Sequence, residues 1–298
     1  MNYKRIIMIA LAYVGVVTGA GLSSGKEVFQ YFVNFGTIGL VGVVLVGILH
    51  AIFGRIILTL GSYYRAREHS AVLERITGKL VYRLLDISLI LSGFVLGFVM
   101  IAGAGANLNQ EFGLPTWVGA LLCSVLVVVV SMMNFERVTQ AIGVFTPIIV
   151  GIIVLLAIYT FWGKSYDWVA LDGFAKTLPK ALPNIWVSVV NYYAICIMAA
   201  AAMSFVLGGN EMYVGEAGRG GLIGGAIIGV ITTCTAFILL ANIELASQVA
   251  IPMQALVAQI HPIFGTFMSI IIFGMIFNPA ISLSYSQATR LSAAGDVR

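Results

Sequence analysis

Uncharged apolar runs of roughly membrane length recur along the 298-residue chain, and they settle its fold class before any motif is read. A bilayer core is about 30 Å thick, and a helix needs about 20 apolar residues to cross it. The runs are continuous rather than alternating, which argues against a transmembrane β-barrel. Only 9% of the residues are charged, against about 25% in a typical soluble domain. The expected fold is an all-α polytopic membrane protein embedded in lipid.

Eight spans are expected, at Ile6–Phe35, Ile38–Tyr63, Leu84–Ala106, Trp117–Met133, Val138–Trp162, Leu182–Leu207, Gly220–Ala241 and Ile263–Leu291. The basic, then apolar, then small-residue start resembles a signal peptide, but the apolar character resumes past residue 28, so it reads as a retained first span. Lys4, Arg5, Arg65, Arg67, Arg75, Lys79, Arg83, Arg137, Arg219, Arg290 and Arg298 would share one side of the membrane, and Lys164, Lys176 and Lys180 the other. That asymmetry predicts a cytoplasmic N-terminus in the inner membrane. The basic residues sit between spans and form no nucleic-acid patch. Cys123, Cys196 and Cys234 fall inside apolar segments, an odd number that argues against a disulfide framework. The connection at 163–184 suits an interface through its Trp and Tyr. The connection at 242–265 reads either as a helix over the bundle or as a re-entrant cap.

The first span carries an anomaly, "TGAGLSSGKEVFQY" at 18–31. As one helix, Ile6–Phe35 would be about 45 Å long, well beyond a hydrocarbon core of about 30 Å. Gly19, Gly21 and Gly25 each cost about 1 kcal/mol in a helix interior, and Thr18, Ser23 and Ser24 offer alternative hydrogen bonds. A local break is therefore expected at Gly19–Gly25. A break at mid-membrane leaves carbonyls at one half-helix end, suited to a cation or amine, and N–H groups at the next, suited to a carboxylate. The same glycines would also serve close helix crossing. Lys26 and Glu27 weigh towards function, because ionisable residues within a span are expensive. Adjacent helical residues diverge by about 100°, so each is expected to find a different partner.

Thr18–Gly36 resembles the first span of the YkvI-type amino-acid permeases, a branch of the amino acid–polyamine–organocation superfamily with the LeuT-type fold. The shared pattern is Gly-Ala-Gly, an apolar residue, two small residues, Gly, a polar residue, Glu, then an aromatic-rich stretch and Phe-Gly. The resemblance implies an inverted-repeat bundle in which spans 1 and 6 are discontinuous and substrate lies between their breaks. Residues 1–162 would form the first repeat, with spans 1–5. Residues 163–298 would form an incomplete second repeat, with spans 6–8, through truncation or a shortened variant. It further implies that the amides of Ala20, Gly21, Leu22 and Ser23 receive a carboxylate, with Gly19, Ser24 and Gly25 completing the hinge and the Val17 carbonyl region facing the amine. In span 6, Asn191, Tyr192 and Tyr193 are the polar candidates.

The resemblance also implies a coupling ion between spans 1 and 8, which here would lie near Ala280, Ser282 and Ser284. Alternate serines point about 200° apart, so one face cannot present them all. Lys26, or a proton on Glu27, would then stand in for sodium. No other cofactor or metal is expected.

The glycines of span 3 read either as close packing or as room for substrate. Asn107 reads as solvated and His50 as a hydrogen-bonded structural histidine. Pro279 either exposes carbonyls towards span 1 or only shapes packing. No catalytic constellation is present, so an enzyme is not expected. The implied function is secondary active transport of a small, neutral or apolar amino acid by alternating access, coupled to protons or sodium. The alternatives are a transporter of another small amine or organic cation, and a non-transporting sensor or assembly protein with the same fold.

Overall fold

A computed structural model describes residues 2–67, 69–132 and 135–294; the side chains at 20, 71, 135–144, 278, 282 and 285–294 fall outside it. The described elements are helical: α1 (Tyr3–Val17), α2 (Ala20–Ser24), α3 (Lys26–Tyr31), a 3-10 turn (Val33–Phe35), α4 (Thr37–Tyr64), α5 (His69–Phe112), α6 (Thr116–Ser131), α7 (Phe135–Phe161), α8 (Trp168–Thr177), α9 (Ile185–Gly209), α10 (Val214–Ala241), α11 (Ile243–Gln248), α12 (Pro252–Ile260) and α13 (Pro262–Ala294). Among the described residues, five helices have the length and hydropathy to cross a bilayer: α4, α5 from Val72, α9, α10 and α13 to Ile281. Thr116–Ser131 and Phe145–Phe161 are shorter apolar helices.

Helix α4 shows how such elements are held in lipid. Ile38, Val41, Val44, Ile48, Ile52 and Ile56 form an exposed apolar stripe, at the three- and four-residue spacing of one helix face. The opposite face is small. A Cβ at Gly47 would fall 2.6 Å from the Cα of Gly229 on α10, and one at Gly54 would fall 2.7 Å from the Gly221 carbonyl oxygen. Lipid tails are as apolar as leucine, so close van der Waals contact between backbones drives this pairing.

The segment between the second and third spans departs from expectation. The third span is expected to begin at Leu84, yet α5 already begins at His69. Gly78, at φ 75° and ψ 165°, kinks the helix within the candidate span that starts at Val72; this is a left-handed region that only glycine enters cheaply. Span 6 departs as well. The expected discontinuity at Asn191–Tyr193 is not found, and α9 runs unbroken from Ile185 to Gly209. It has no Gly or Pro before Gly208 to stop it, and Ser188 and Asn191 find partners without unwinding the backbone.

The connection at 242–265 folds as two short helices, α11 and α12. Helix α12 rests on α13 and on α2, forming a roof over the first span. Asn107 is fully buried rather than solvated, and its Nδ2 donates to the Ser269 carbonyl at 2.8 Å.

Candidate functional site

The first span is broken twice. Helix α1 ends at Val17, where both the amide and the hydroxyl of Thr18 donate to the Val14 carbonyl, at 2.7 and 2.6 Å. Thr18 and Gly19 are extended, and α2 then makes little more than one turn. Gly25 closes it in the left-handed region at φ 79° and starts α3 in a new direction. The hydroxyls expected to compete with the helix do so. Ser23 Oγ donates to the Gly19 carbonyl at 3.0 Å, Ser24 Oγ donates to the Gly21 carbonyl, and the Lys26 amide donates to Ser24 Oγ.

The break lies where four other elements meet. A Cβ on Gly19 would touch Pro279 Cγ of α13 at 3.3 Å and Met100 Cε of α5 at 3.7 Å. A Cβ on Gly25 would meet Met253 of α12 at 2.8 Å and Leu239 of α10 at 3.1 Å. Spans 1, 3 and 8 and the roof therefore converge on residues 18–25.

Lys26 and Glu27 turn different ways, as their spacing requires. Lys26 Nζ donates to the Val249 carbonyl at 3.2 Å, tying the first span to the roof. Glu27 folds back instead, and a Cβ on Gly21 would overlap its carboxyl group. The carboxylate thus covers the start of α2. The Ser23 amide is occupied by the Gly19 carbonyl, so of the four amides proposed to receive a carboxylate, one is engaged and another lies beneath Glu27. Among the described residues, Glu27 has no hydrogen-bond or ion-pair partner, and it keeps part of its surface accessible.

Glu27 is close enough to Tyr31, Tyr192 and Cys196 to act on them electrostatically. The Tyr192 ring lies 5.3 Å from Tyr31 and 5.1 Å from Phe32, edge-on to the latter. Tyr31 Oη donates to Asn191 Oδ1 at 3.1 Å. Sequence reasoning missed Tyr31, Phe32, Cys196 and Met100. The first and third were findable, because Glu27–Tyr31 and Tyr192–Cys196 are both spaced to share a helix face.

Two candidates lie elsewhere. Tyr193 turns towards α4, with its ring 5.1 Å from His50 and 5.5 Å from Phe53. Among the described residues, His50 Nδ1 and Tyr193 Oη are both buried without a hydrogen-bond partner, so the expected hydrogen-bonded histidine is not what is found. Ser284 lines a groove with Gly93, Gly97 and Phe98 of α5, and Gly97 has open space where close packing was one reading. Ala280 is buried, as are Val17 and Leu22; the side chains of Ala20 and Ser282 lie outside the described residues. No group of three His, Cys, Asp or Glu able to hold a metal occurs among the described residues.

A first span broken beside spans 3 and 8, under a two-helix roof, gives the chain the LeuT-type helical fold. The chain is similar to YkvI, an uncharacterised membrane protein of Bacillus subtilis (strain 168), at 24% identity over 93% of this chain and 78% of that protein. It is also 24% identical to the uncharacterised protein YyaD of the same strain, over 74% of this chain and 62% of YyaD. No protein-family model matches. Among solved structures it is similar to the Eremococcus coleocola manganese transporter (TM-score 0.57, 14% identity, 99% of this chain and 66% of that one). MhsT in complex with L-phenylalanine is matched at TM-score 0.57 and 18% identity, over 98% of this chain and 74% of that one. The chain thus spans about two thirds of the manganese transporter and about three quarters of MhsT.

Proposed function

We propose that the chain is the core of a secondary active transporter that moves a small amine-bearing solute by alternating access. The observation that carries this is the double break of the first span at Thr18–Gly19 and Gly25, held between Met100, Pro279 and Met253. Irregular backbone at membrane depth is tolerated where it is buried or lines a cavity, and transporters place substrate at such breaks. Amino acids are the class that the family resemblance implies, and MhsT was solved with one. Residues 1–162 would form the first repeat and 163–298 the start of the second, with the N-terminus in the cytoplasm and a proton or sodium as the coupling ion. The unpartnered Glu27 also supports the second reading, a small amine or organic cation.

The test is a melting-temperature screen of purified protein against amino acids and amines, with and without sodium at two pH values, followed by uptake into proteoliposomes. A ligand at about 100 times its Kd stabilises the folded state by about 2.7 kcal/mol. Accumulation against a gradient is expected. Affinity without accumulation would favour a sensor, and neither affinity nor uptake would sink the transport reading.

A further inference from the structure

We infer that Glu27 is the counterion for the substrate's ammonium group, and that the site is built for a small organic amine rather than for an α-amino acid held by its carboxylate. This rests on the transport reading above and names its substrate class.

Three observations lead there. Glu27 is an acidic group inside the bundle with no hydrogen-bond or ion-pair partner among the described residues. An unpaired charge in such surroundings is costly and is relieved by a cation. The nearest cation in sequence, Lys26, is turned away and donates to the Val249 carbonyl, so the position beside Glu27 is left to a cation from outside.

The second observation is what surrounds the carboxylate. Tyr31 and Tyr192 lie near enough to interact with it electrostatically; their ring centroids are 5.3 Å apart, and Phe32 backs Tyr192. An aromatic ring near an acid adds its quadrupole to the charge in holding an alkylammonium, and of the two tyrosines it is Tyr31 that keeps accessible surface. Glu27, Tyr31 and Asn191 all retain accessible surface, so a solute can reach them.

The third is what the carboxylate displaces. It lies against the Gly21 Cα, over the start of α2, where a substrate carboxylate would seek the free amides. A second carboxylate beside the first is repelled. The same side chain therefore attracts the ammonium end of a solute and turns away the carboxylate end.

The experiment compares solutes that differ only by the α-carboxylate: phenylalanine with phenethylamine, and leucine with isoamylamine. Melting shifts and proteoliposome uptake are measured for each pair with the intact protein. The amine of each pair is expected to bind about tenfold more tightly or better. Glu27→Gln should weaken amine binding at least about tenfold, the effect of losing one charge-assisted hydrogen bond, and Glu27→Asp should retain part of it. Gly21→Ala supplies a second variant, since its Cβ displaces the carboxyl group without removing it; it too should weaken the amine. Accumulation of the amino acids but not of the amines, or amine binding untouched by Glu27→Gln and Gly21→Ala, overturns the inference and leaves transport standing. If no member of either pair binds or accumulates, the transport reading falls and takes this inference with it.

Discussion

At the scale of single residues, Gly25 carries the site. Its φ of 79° turns α3 out of line with α2, and it does so under Met253 and Leu239. A straight helix would set residues six apart about 240° from one another, so Gly21 and Glu27 would face different ways. The left-handed residue between them brings them together. That is why the sequence shows the break and the separate fates of Lys26 and Glu27, but not the carboxylate resting on Gly21. Gly25→Ala should destabilise the fold by about 1–2 kcal/mol through the left-handed backbone alone, and by more if Met253 cannot shift. A melting temperature equal to that of the wild type would show that the turn can be remade without glycine.

At the scale of elements, the sequence reads best where local chemistry decides and worst where a neighbour does. The first span breaks because Thr18, Gly19 and Gly25 act within their own turn. Span 6 does not break: Asn191 accepts from Tyr31 and the Ser188 hydroxyl donates to the Tyr31 carbonyl, so these two polar residues face a partner on the first span rather than their own backbone. Asn107 was misplaced for the same reason, its acceptor lying on α13. The junction of α8 with α4 offers a test of such a cross-element contact. Asp172 Oδ1 accepts from both the amide and the hydroxyl of Thr37, at 2.8 and 2.9 Å, and so caps the start of α4, while Oδ2 pairs with Lys176. The Lys176 ammonium first, and then the Thr37 amide, hold its carboxyl at about 2, below the usual carboxylate range. A depressed folded-state value stabilises the fold above the unfolded value, near 4, and that stability is lost as pH falls towards about 2. Wild type should therefore melt above Asp172→Asn at neutral pH, and the gap should close between about pH 4 and about pH 2. A gap that persists unchanged down to the lower limit would assign the effect to shape rather than to charge.

At the scale of the whole molecule, two polar clusters close opposite ends of the bundle around the broken span. On the N-terminal face, Arg5 Nε meets Glu211 Oε2 at 2.6 Å, Arg65 donates to the Glu211 and Met212 carbonyls, and the Asn2 amide donates to Glu216 Oε1. On the roof face, Gln110 exchanges hydrogen bonds with Ile251 and donates to Gln254, and both Gln254 and the Thr266 hydroxyl donate to Glu111. With Lys26 on Val249, these bonds tie the roof to α3 and α5, and α5 in turn to α13. Neither cluster was legible in advance, because each joins residues more than a hundred positions apart through loops whose course only the fold defines. If the chain works by alternating access, the two must open in turn, and weakening one should favour the state in which it is open. Cys196 reports on this, since it lies beside Tyr192 within the bundle and is only 8% exposed. With Cys123 and Cys234 changed to Ser, Glu111→Ala should speed modification of Cys196 by an impermeant thiol reagent applied at the roof face. Arg5→Ala should speed it from the N-terminal face. Loss of a charged hydrogen bond worth about 1.5 kcal/mol corresponds to about tenfold in rate where opening limits access. Each variant should leave the rate from the other face unchanged or lower, because the two open states compete for one population. If both variants speed labelling from both faces alike, the clusters only hold the bundle together, and alternation of the two seals is wrong.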